Sequence, residues 1–197
     1  MSIDTIVNTI NRDGSLSSQN KRTLRESFRD SDTGNAMATG PGTGITTGTG
    51  TVVKSSIEKN GDILKTTILV DLTGLNSSAA ADIIGVDGGT ANCHIGRVLA
   101  AESGTVFGGT MTCIEAPATG EPDIDLYSAT EATGAEDTAI TGLTETAILD
   151  AAADWTIGLQ KSFGAIAANQ YLYLVGSGAG TDATYTAGKF KIEFYGY

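Results

Sequence analysis

The sequence predicts an all-β protein, in which an antiparallel β-sandwich or jelly-roll-like body follows an extended, partly helical N-terminal arm. The segment 65–75 (KTTILVDLTGL) alternates apolar and polar side chains with a period of two, and the closing segment 189–197 (KFKIEFYGY) does so more cleanly. This alternation is typical of half-buried strands. Of the 197 residues, 26 are glycine and only 18% are charged, which favours many short strands joined by glycine turns over helices.

Nine segments of the body are predicted as strands, and their number and spacing fit an antiparallel sandwich or jelly roll. The pair Asn60-Gly61 predicts a tight hairpin between the first two strands. The stretch 129–153 has a weaker pattern, and an edge strand at 144–149, a loop and a short helix all stay open there. The predicted strands are 51–58, 62–73, 82–86, 93–101, 105–116, 123–128, 155–160, 170–175 and 187–195.

Residues 1–50 are predicted to form the arm, and residues 51–197 the body. Helical spacing of apolar side chains predicts short helices over 2–11 and about 18–30, and the segment 39–50 (TGPGTGITTGTG), with five glycines and five threonines, is predicted to be a flexible connector. Helices this short are marginal alone in water, so their side chains need a surface, either this body or a neighbouring subunit. The predicted contact residues are Ile3, Ile6, Val7, Ile10, Arg22, Leu24, Arg25 and Phe28.

The charge of the chain is unevenly distributed. The net charge is −11, and residues 66–160 contain 14 acidic side chains against one base, Arg97. An acidic body argues against nucleic acid as a partner. Five bases crowd the first 29 residues, where they either meet an acidic protein surface or form a solvated helix face. We expect neither a membrane span nor a secretory signal, because no apolar run is long enough and the N-terminus lacks a basic region.

Few residues are candidates for chemistry. His94 is the only histidine, and its position in a predicted strand favours a structural or exposed role. Asp123 and Asp125 fall two apart on one strand face, with Glu121 and Glu115 nearby in sequence. We interpret them as a solvated outer face, with calcium binding or glycosidase chemistry as the alternatives. The sequence therefore predicts no enzyme, no catalytic residue, no metal and no cofactor.

Cys93 and Cys113 are the only cysteines, too few for a disulfide framework or a normal zinc site. We predict free, buried thiols, while a disulfide stays open if their strands are neighbours. Aromatic side chains offer one further candidate, a carbohydrate-binding platform, but core or subunit-interface roles are favoured over it. The aromatic candidates are Trp155, Tyr171, Tyr173, Tyr195 and Tyr197.

Seven stretches, spread over nearly the whole chain, carry a resemblance: NRDGSLSSQNKRTLRESFRDSDTGNA, GTGITTGTGT, KTTILVDLTGLNSS, DIIGV, GTVFGGTMTCIEAP, DIDLY and YTAGKFKIEFYGY. Together they resemble a group of virion structural proteins of tailed, particularly marine, bacteriophages. The resemblance implies a capsid decoration or cement protein, made in the host cytoplasm and bound at the capsid surface. Its expected partners are the major capsid protein and other copies of itself, as a homotrimer. A glycan-binding or adhesion module of the capsid or tail is the alternative.

Overall fold

The computed structural model describes residues 36–178 and 180–197. The strands in this part of the chain pair in antiparallel fashion throughout. Helical structure there is limited to α1 (Thr43–Thr46), α2 (Ala100–Ser103) and a 3-10 turn, Ile140–Gly142. The predicted all-β class is therefore confirmed. No helix of the described residues is long and apolar enough to cross a membrane.

Eleven strands form three sheets within the described residues. The sheets have the strand orders β1-β2-β11-β5-β8, β4-β9-β6-β7 and β10-β3. The strands are β1 Val52–Asn60, β2 Ile63–Asp71, β3 Asn76–Ser77, β4 Gly96–Val98, β5 Val106–Ala118, β6 Ile124–Ala129, β7 Glu145–Leu149, β8 Gln160–Phe163, β9 Gln170–Gly176, β10 Ala183–Thr184 and β11 Ala187–Gly196.

The five-stranded sheet follows the alternation that the sequence predicts. In β11, Phe190, Ile192 and Phe194 are fully buried, while the residues between them are half-exposed. The predicted hairpin joins β1 to β2 with Asn60 opposite Ile63. Its two-residue turn is Gly61-Asp62, one position later than the sequence suggests, and Gly61 takes the left-handed backbone conformation (φ +63°) that glycine adopts at little cost.

The four-stranded sheet is covered more completely. The segment from Leu172 to Val175 in β9 is buried at every position, so β9 lacks the alternation of a half-exposed strand. Apolar side chains of both larger sheets belong to one core cluster. Trp155 lies edge-to-face against Phe190 in that core, with 5.3 Å between ring centroids. The predicted arrangement as a sandwich or jelly roll stays a prediction.

Three predicted strands differ in the structure. The segment 82–86 makes only isolated bridges, and 93–101 is reduced to β4, followed directly by α2. The segment 155–160 is a turn ahead of β8, because Gly158 has a positive φ of 82° and its N–H donates to the Cys113 carbonyl. In the stretch 129–153, where an edge strand, a loop and a short helix were all open, the structure has the edge strand β7.

The segment 39–50, predicted as a flexible connector, packs against the described body instead. Ile45 is fully buried. The N–H of Gly42 donates to the His94 carbonyl and that of Gly44 to the Asn92 carbonyl, both at 2.8 Å. A β-carbon on Gly44 would lie 2.5 Å from the Cys93 Sγ, so this glycine permits close approach. The two predicted helices and the eight arm contact residues lie outside the described residues and stay predictions.

Candidate functional site

Asp125 is buried, contrary to the prediction of a solvated outer face. It is 3% exposed, and β6, which lies between β9 and β7, has buried residues on both of its faces. Its Oδ1 accepts a hydrogen bond from the Ala151 N–H at 2.6 Å, and Ser177 bonds the same carboxylate. Burial raises the pKa of Asp125 despite these donors. The carboxylate therefore ties the segments around residues 151 and 177 to β6.

The other carboxylates considered for chemistry differ from Asp125, since Asp123 has a buried Oδ1 without a hydrogen-bond partner among the described residues and Glu115 forms an ion pair. Asp123 is half-buried, and burial together with the charge of Asp125 raises its pKa. Glu115 lies on a different sheet, in β5, where it pairs with Lys189 at 2.5 Å. The structure thus does not bring Glu115 together with the two aspartates. Within the described residues, no group of three or more histidine, cysteine, aspartate or glutamate side chains is placed to hold a metal ion.

Glu121 is a buried carboxylate whose role the sequence did not indicate. It is 4% exposed. Its Oε2 accepts hydrogen bonds from the N–H groups of Gly180 and Thr181, at 3.1 and 3.2 Å, and its Oε1 accepts one from Asp123. Glu121 therefore anchors the loop ahead of β10. No periodic pattern surrounds it, so no sequence signal distinguishes it from an exposed glutamate.

We expect the carboxyls whose pKa is raised to add stability as the pH falls from about 7.5 to about 5, while His94, whose pKa burial lowers, removes stability over the same range. A carboxyl whose pKa is raised by folding binds its proton more tightly in the folded state, so its contribution to stability falls as the pH rises above the unfolded-state pKa of about 4. Burial raises the pKa of Asp82, Asp123, Asp125 and Glu136. Asp71, whose lowered pKa reflects hydrogen bonds that outweigh its burial, loses its stabilising effect only below this window.

Thermal unfolding of Asp125→Asn across the same pH range tests this cause. Asparagine keeps an acceptor for the Ala151 N–H but removes the titrating group, so on acidification the unfolding temperature of the variant should gain less, or lose more, than that of the wild type. Asp62→Asn, in the exposed hairpin turn, is the matched control and should keep the wild-type slope. An unchanged slope in Asp125→Asn would contradict the assignment.

His94 occupies a structural position, as predicted. It is 6% exposed and packs against the rings of Tyr171 and Tyr173, with centroid distances of 4.9 and 6.3 Å. Burial lowers its pKa, which favours the neutral ring. Its Nδ1 is buried without a hydrogen-bond partner among the described residues.

Both cysteines are buried free thiols, as predicted. Burial raises the pKa of Cys93 to about 11 and raises that of Cys113. Because the thiolate is the nucleophilic form, this burial makes both groups poor nucleophiles at neutral pH.

The aromatic platform, which was the less favoured alternative, does not form around Trp155. The indole is 2% exposed, and its Nε1–H donates to the Ile124 carbonyl at 2.8 Å. Tyr173 is fully buried, and its hydroxyl donates to the Glu131 carbonyl at 2.8 Å. These two rings therefore serve the core, as the favoured interpretation predicts.

Three other aromatic rings form a patch where β5 begins and β11 ends. We call Phe107, Tyr195 and Tyr197 the aromatic patch. Phe107 is 52% exposed and Tyr197 is 66% exposed. The Phe107 ring lies 6.5 Å from Tyr195 and 6.1 Å from Tyr197, tilted by 29° and 30°. Phe107 was not predicted as a surface residue, because Gly108 and Gly109 directly after it interrupt the alternation that would show which face it occupies.

The outer face of the five-stranded sheet carries cross-strand ion pairs. Lys65 of β2 lies 3.1 Å from Glu58 of β1 and 3.9 Å from Glu193 of β11. Lys189 of β11 bridges Asp71 and Glu115 in the neighbouring strands on either side. Opposite charges therefore alternate across strands on this face.

An apolar cleft of about 470 Å³ opens near α2, the start of β5 and β7. Its lining includes no titratable side chain, so no residue there can act as an acid or a base. The lining residues are Ala100, Gly104, Thr105, Val106, Ser128, Thr146, Ile148, Ala165, Ile166, Ala167 and Ala168.

Comparison with models of known protein families finds no match for the chain, and comparisons with curated proteins and with solved structures find none either.

Proposed function

We propose that the chain is a bacteriophage capsid decoration protein, which binds the major capsid protein and other copies of itself and stabilises the shell as a homotrimer. The proposal rests on the resemblance to phage virion proteins and, in the structure, on the exposed aromatic patch. In this proposal the two larger sheets form the predicted β-sandwich, which is supported by their common core cluster. The protein acts at the capsid surface by contact rather than by catalysis.

The aromatic patch supports a protein-contact role because its rings are large, exposed and adjacent. Aromatic residues are enriched in protein interfaces and often supply much of their binding energy. Phe107 and Tyr197 remain more than half exposed, so contact with a partner would remove considerable apolar surface from water. The patch lies at a sheet end rather than on a core-facing position, which leaves it accessible to another protein.

The composition of the arm supports attachment through apolar contacts. Residues 1–35 contain five basic and five acidic side chains, so 5 − 5 leaves the segment without net charge. Exposed ion pairs contribute little individually. Ile3, Ile6, Val7 and Ile10 recur at helical spacing in the sequence. We therefore favour burial of these side chains on a neighbouring shell protein over electrostatic attraction.

Release from purified particles tests this attachment. We expect wild-type protein, present in many copies per particle, to stay bound as salt is raised to about 1 M, where screening shortens to about 3 Å. Ile6→Asp/Ile10→Asp should be lost from particles, because aspartates would enter the apolar contact. Thr5→Asp/Thr9→Asp adds the same charge at other positions and should stay bound. Release of the wild type by moderate salt, with the isoleucine variant still bound, would refute the apolar mechanism.

A glycan-binding module is the second candidate, and the small tilt between the rings of the aromatic patch favours it specifically. Sugar rings pack against such faces, so Phe107→Ala should then abolish binding to host-surface polysaccharide while leaving particle attachment intact. Under the decoration proposal, Phe107→Ala weakens particle attachment and polysaccharide binding is not detected. Copy number separates the two further, since a tail module occurs in only a handful of copies.

A further inference from the structure

Strand β1 is a long, regular edge of the five-stranded sheet. It runs for nine residues, pairs with β2 without a register shift, and contains no proline. The other edge strands are shorter, at four residues in β8, three in β4 and five in β7. Long unpaired edges are templates for another strand unless they are blocked. The edge of β1 is therefore the position in the described sheets most suited to strand addition.

The register fixes which backbone groups of β1 face outward. Residues of an antiparallel strand direct their N–H and C=O groups alternately to one neighbour and the other. The N–H of Leu72 donates to the Gly188 carbonyl, so the even-numbered residues of β2 bond β11 and the odd-numbered ones bond β1. In β1, the even-numbered residues consequently bond β2, and the outward-facing residues are Val53, Ser55, Ile57 and Lys59.

Within the described residues, no backbone hydrogen bond from another segment reaches this outer edge. The contact that does reach it goes to a side chain, where the N–H of Met37 donates to Ser55 Oγ at 3.0 Å. With respect to residues 36–178 and 180–197, the backbone groups of the four outward-facing residues are thus available for a strand that lies alongside.

We propose that a second copy of this chain binds here, with the two β1 strands antiparallel and centred on Ser56. This register places Lys54 opposite the partner's Glu58, and Glu58 opposite the partner's Lys54. It also places outward-facing residues opposite one another, Val53 with the partner's Lys59 and Ser55 with the partner's Ile57. Both requirements, hydrogen-bond parity and charge complementarity, are met at once.

Neighbouring registers do not meet both requirements. Centring the pair on Ser55 sets Lys54 against the partner's Ser56, and centring it on Ile57 sets Lys54 against the partner's Asn60. In either case the charges lose their opposite partners, although the backbone groups still face each other. The positions of Lys54 and Glu58, two residues either side of Ser56, therefore select one register.

The second copy also extends features already present on the sheet. Lys54 lies opposite exposed Leu69 on β2 rather than opposite an acid. In the pair, Glu58 lies between Lys65, 3.1 Å away, and the partner's Lys54, so the row of alternating charges continues into the next sheet. On the inner face, the half-buried Val53 and Ile57 gain cover. Two five-stranded sheets become one continuous sheet.

Charges on edge strands usually prevent pairing, and here their arrangement decides the outcome. Like charges directly opposite each other destabilise a strand pair, whereas unlike charges stabilise it. Because one base and one acid lie at equal distances from the centre, self-pairing matches unlike charges in both places. The contact is two-fold, so it is independent of the proposed trimer and of the proposed function.

Charge exchange in the full-length chain tests the register. Lys54→Glu places two glutamates opposite each other twice, and Glu58→Lys does the same with lysines. We expect each to weaken dimerisation, measured by sedimentation equilibrium, by about tenfold. Lys54→Glu/Glu58→Lys restores unlike pairs and should recover association. Lys59→Glu, which faces Val53 in this register, is the matched control. Cooperative thermal unfolding of each variant at a concentration where the monomer dominates shows that the monomer fold is intact, with a small loss expected where Glu58→Lys places a lysine opposite Lys65.

Amide hydrogen exchange at several protein concentrations tests the edge directly. The amides of Val53, Ser55, Ile57 and Lys59 should become protected as the concentration rises, while those of Lys54, Ser56 and Glu58 are protected at every concentration. Protection of the outward set that persists on dilution would assign the edge to the same chain and overturn the proposal. Failure of the double variant to recover association, or exchange of the outward set at every concentration, would also overturn it.

Discussion

Ile192→Asp is expected to reduce the free energy of unfolding by several kcal/mol, roughly 4 or more, which is a large part of the stability of an ordinary domain. Ile192 is fully buried in β11 and lies opposite Ile68 of β2 and Met111 of β5, which are also fully buried. An aspartate there loses apolar burial and brings a carboxylate among side chains that offer it no partner. Denaturant unfolding of the purified variant measures the loss.

Glu193→Ala, at the next position, is the matched control. Its carboxylate lies on the outer face, 2.8 Å from Lys191 and 3.9 Å from Lys65. Pairs of this kind in contact with solvent contribute little, so we expect a cost of about 0.5 kcal/mol or less. The two variants should share a denaturant slope, because both unfold from the same compact state. Similar losses at the two positions would mean that the faces of β11 are assigned wrongly.

The alternation predicts β2 and β11 well because each has one covered face and one exposed face. The same rule fails for β6, where neighbours cover both faces. Asp125 keeps the alternating position of an outward residue but is buried. Donors from Ala151 and Ser177 offset the cost of burying its carboxylate. Alternation in one segment shows which residues share a face, and it carries no information on what covers that face.

Glycine in this sequence has two physical uses that composition does not separate. Gly61 serves a turn, and the hairpin around it is predicted to within one residue. Gly44 instead allows the backbone to approach Ala91 and Cys93 closely, so a glycine-rich segment that resembles a linker is packed. The difference depends on residues that are about 50 positions away in sequence, which no local pattern reveals.

The candidate site was predictable only in part for the same reason. The sequence predicted two free, buried thiols, whereas it left a structural and an exposed position both open for His94. The loop contacts of Glu121 join residues 59 and 60 positions apart, and the aromatic patch joins the start of β5 to the end of the chain. Contacts of this range depend on the sheet order, which the sequence did not specify.

Truncation at the N-terminus is expected to separate the arm from the compact unit at Ala36 rather than at the predicted boundary near residue 50. The described compact unit begins at Ala36. Met37 is 4% exposed, and its N–H donates to Ser55 Oγ. The N–H of Ala38 donates to the Glu102 carboxylate at 3.0 Å. Residues just before the glycine-rich segment thus contribute buried surface and hydrogen bonds to the body.

We therefore expect a chain starting at Ala36 to keep a cooperative thermal transition. Removal of residues 1–42 should cost roughly 3 to 5 kcal/mol, from about 2 for burial of Met37 and about 1 for each lost hydrogen bond. Removal of residues 1–50 also deletes fully buried Ile45 and should abolish cooperative unfolding. Met37→Ala in the full-length chain, expected to cost about 2 kcal/mol or more, isolates the side-chain part. Equal stability of the chains starting at 36 and at 43 would show that residues 36–42 do not belong to the folding unit.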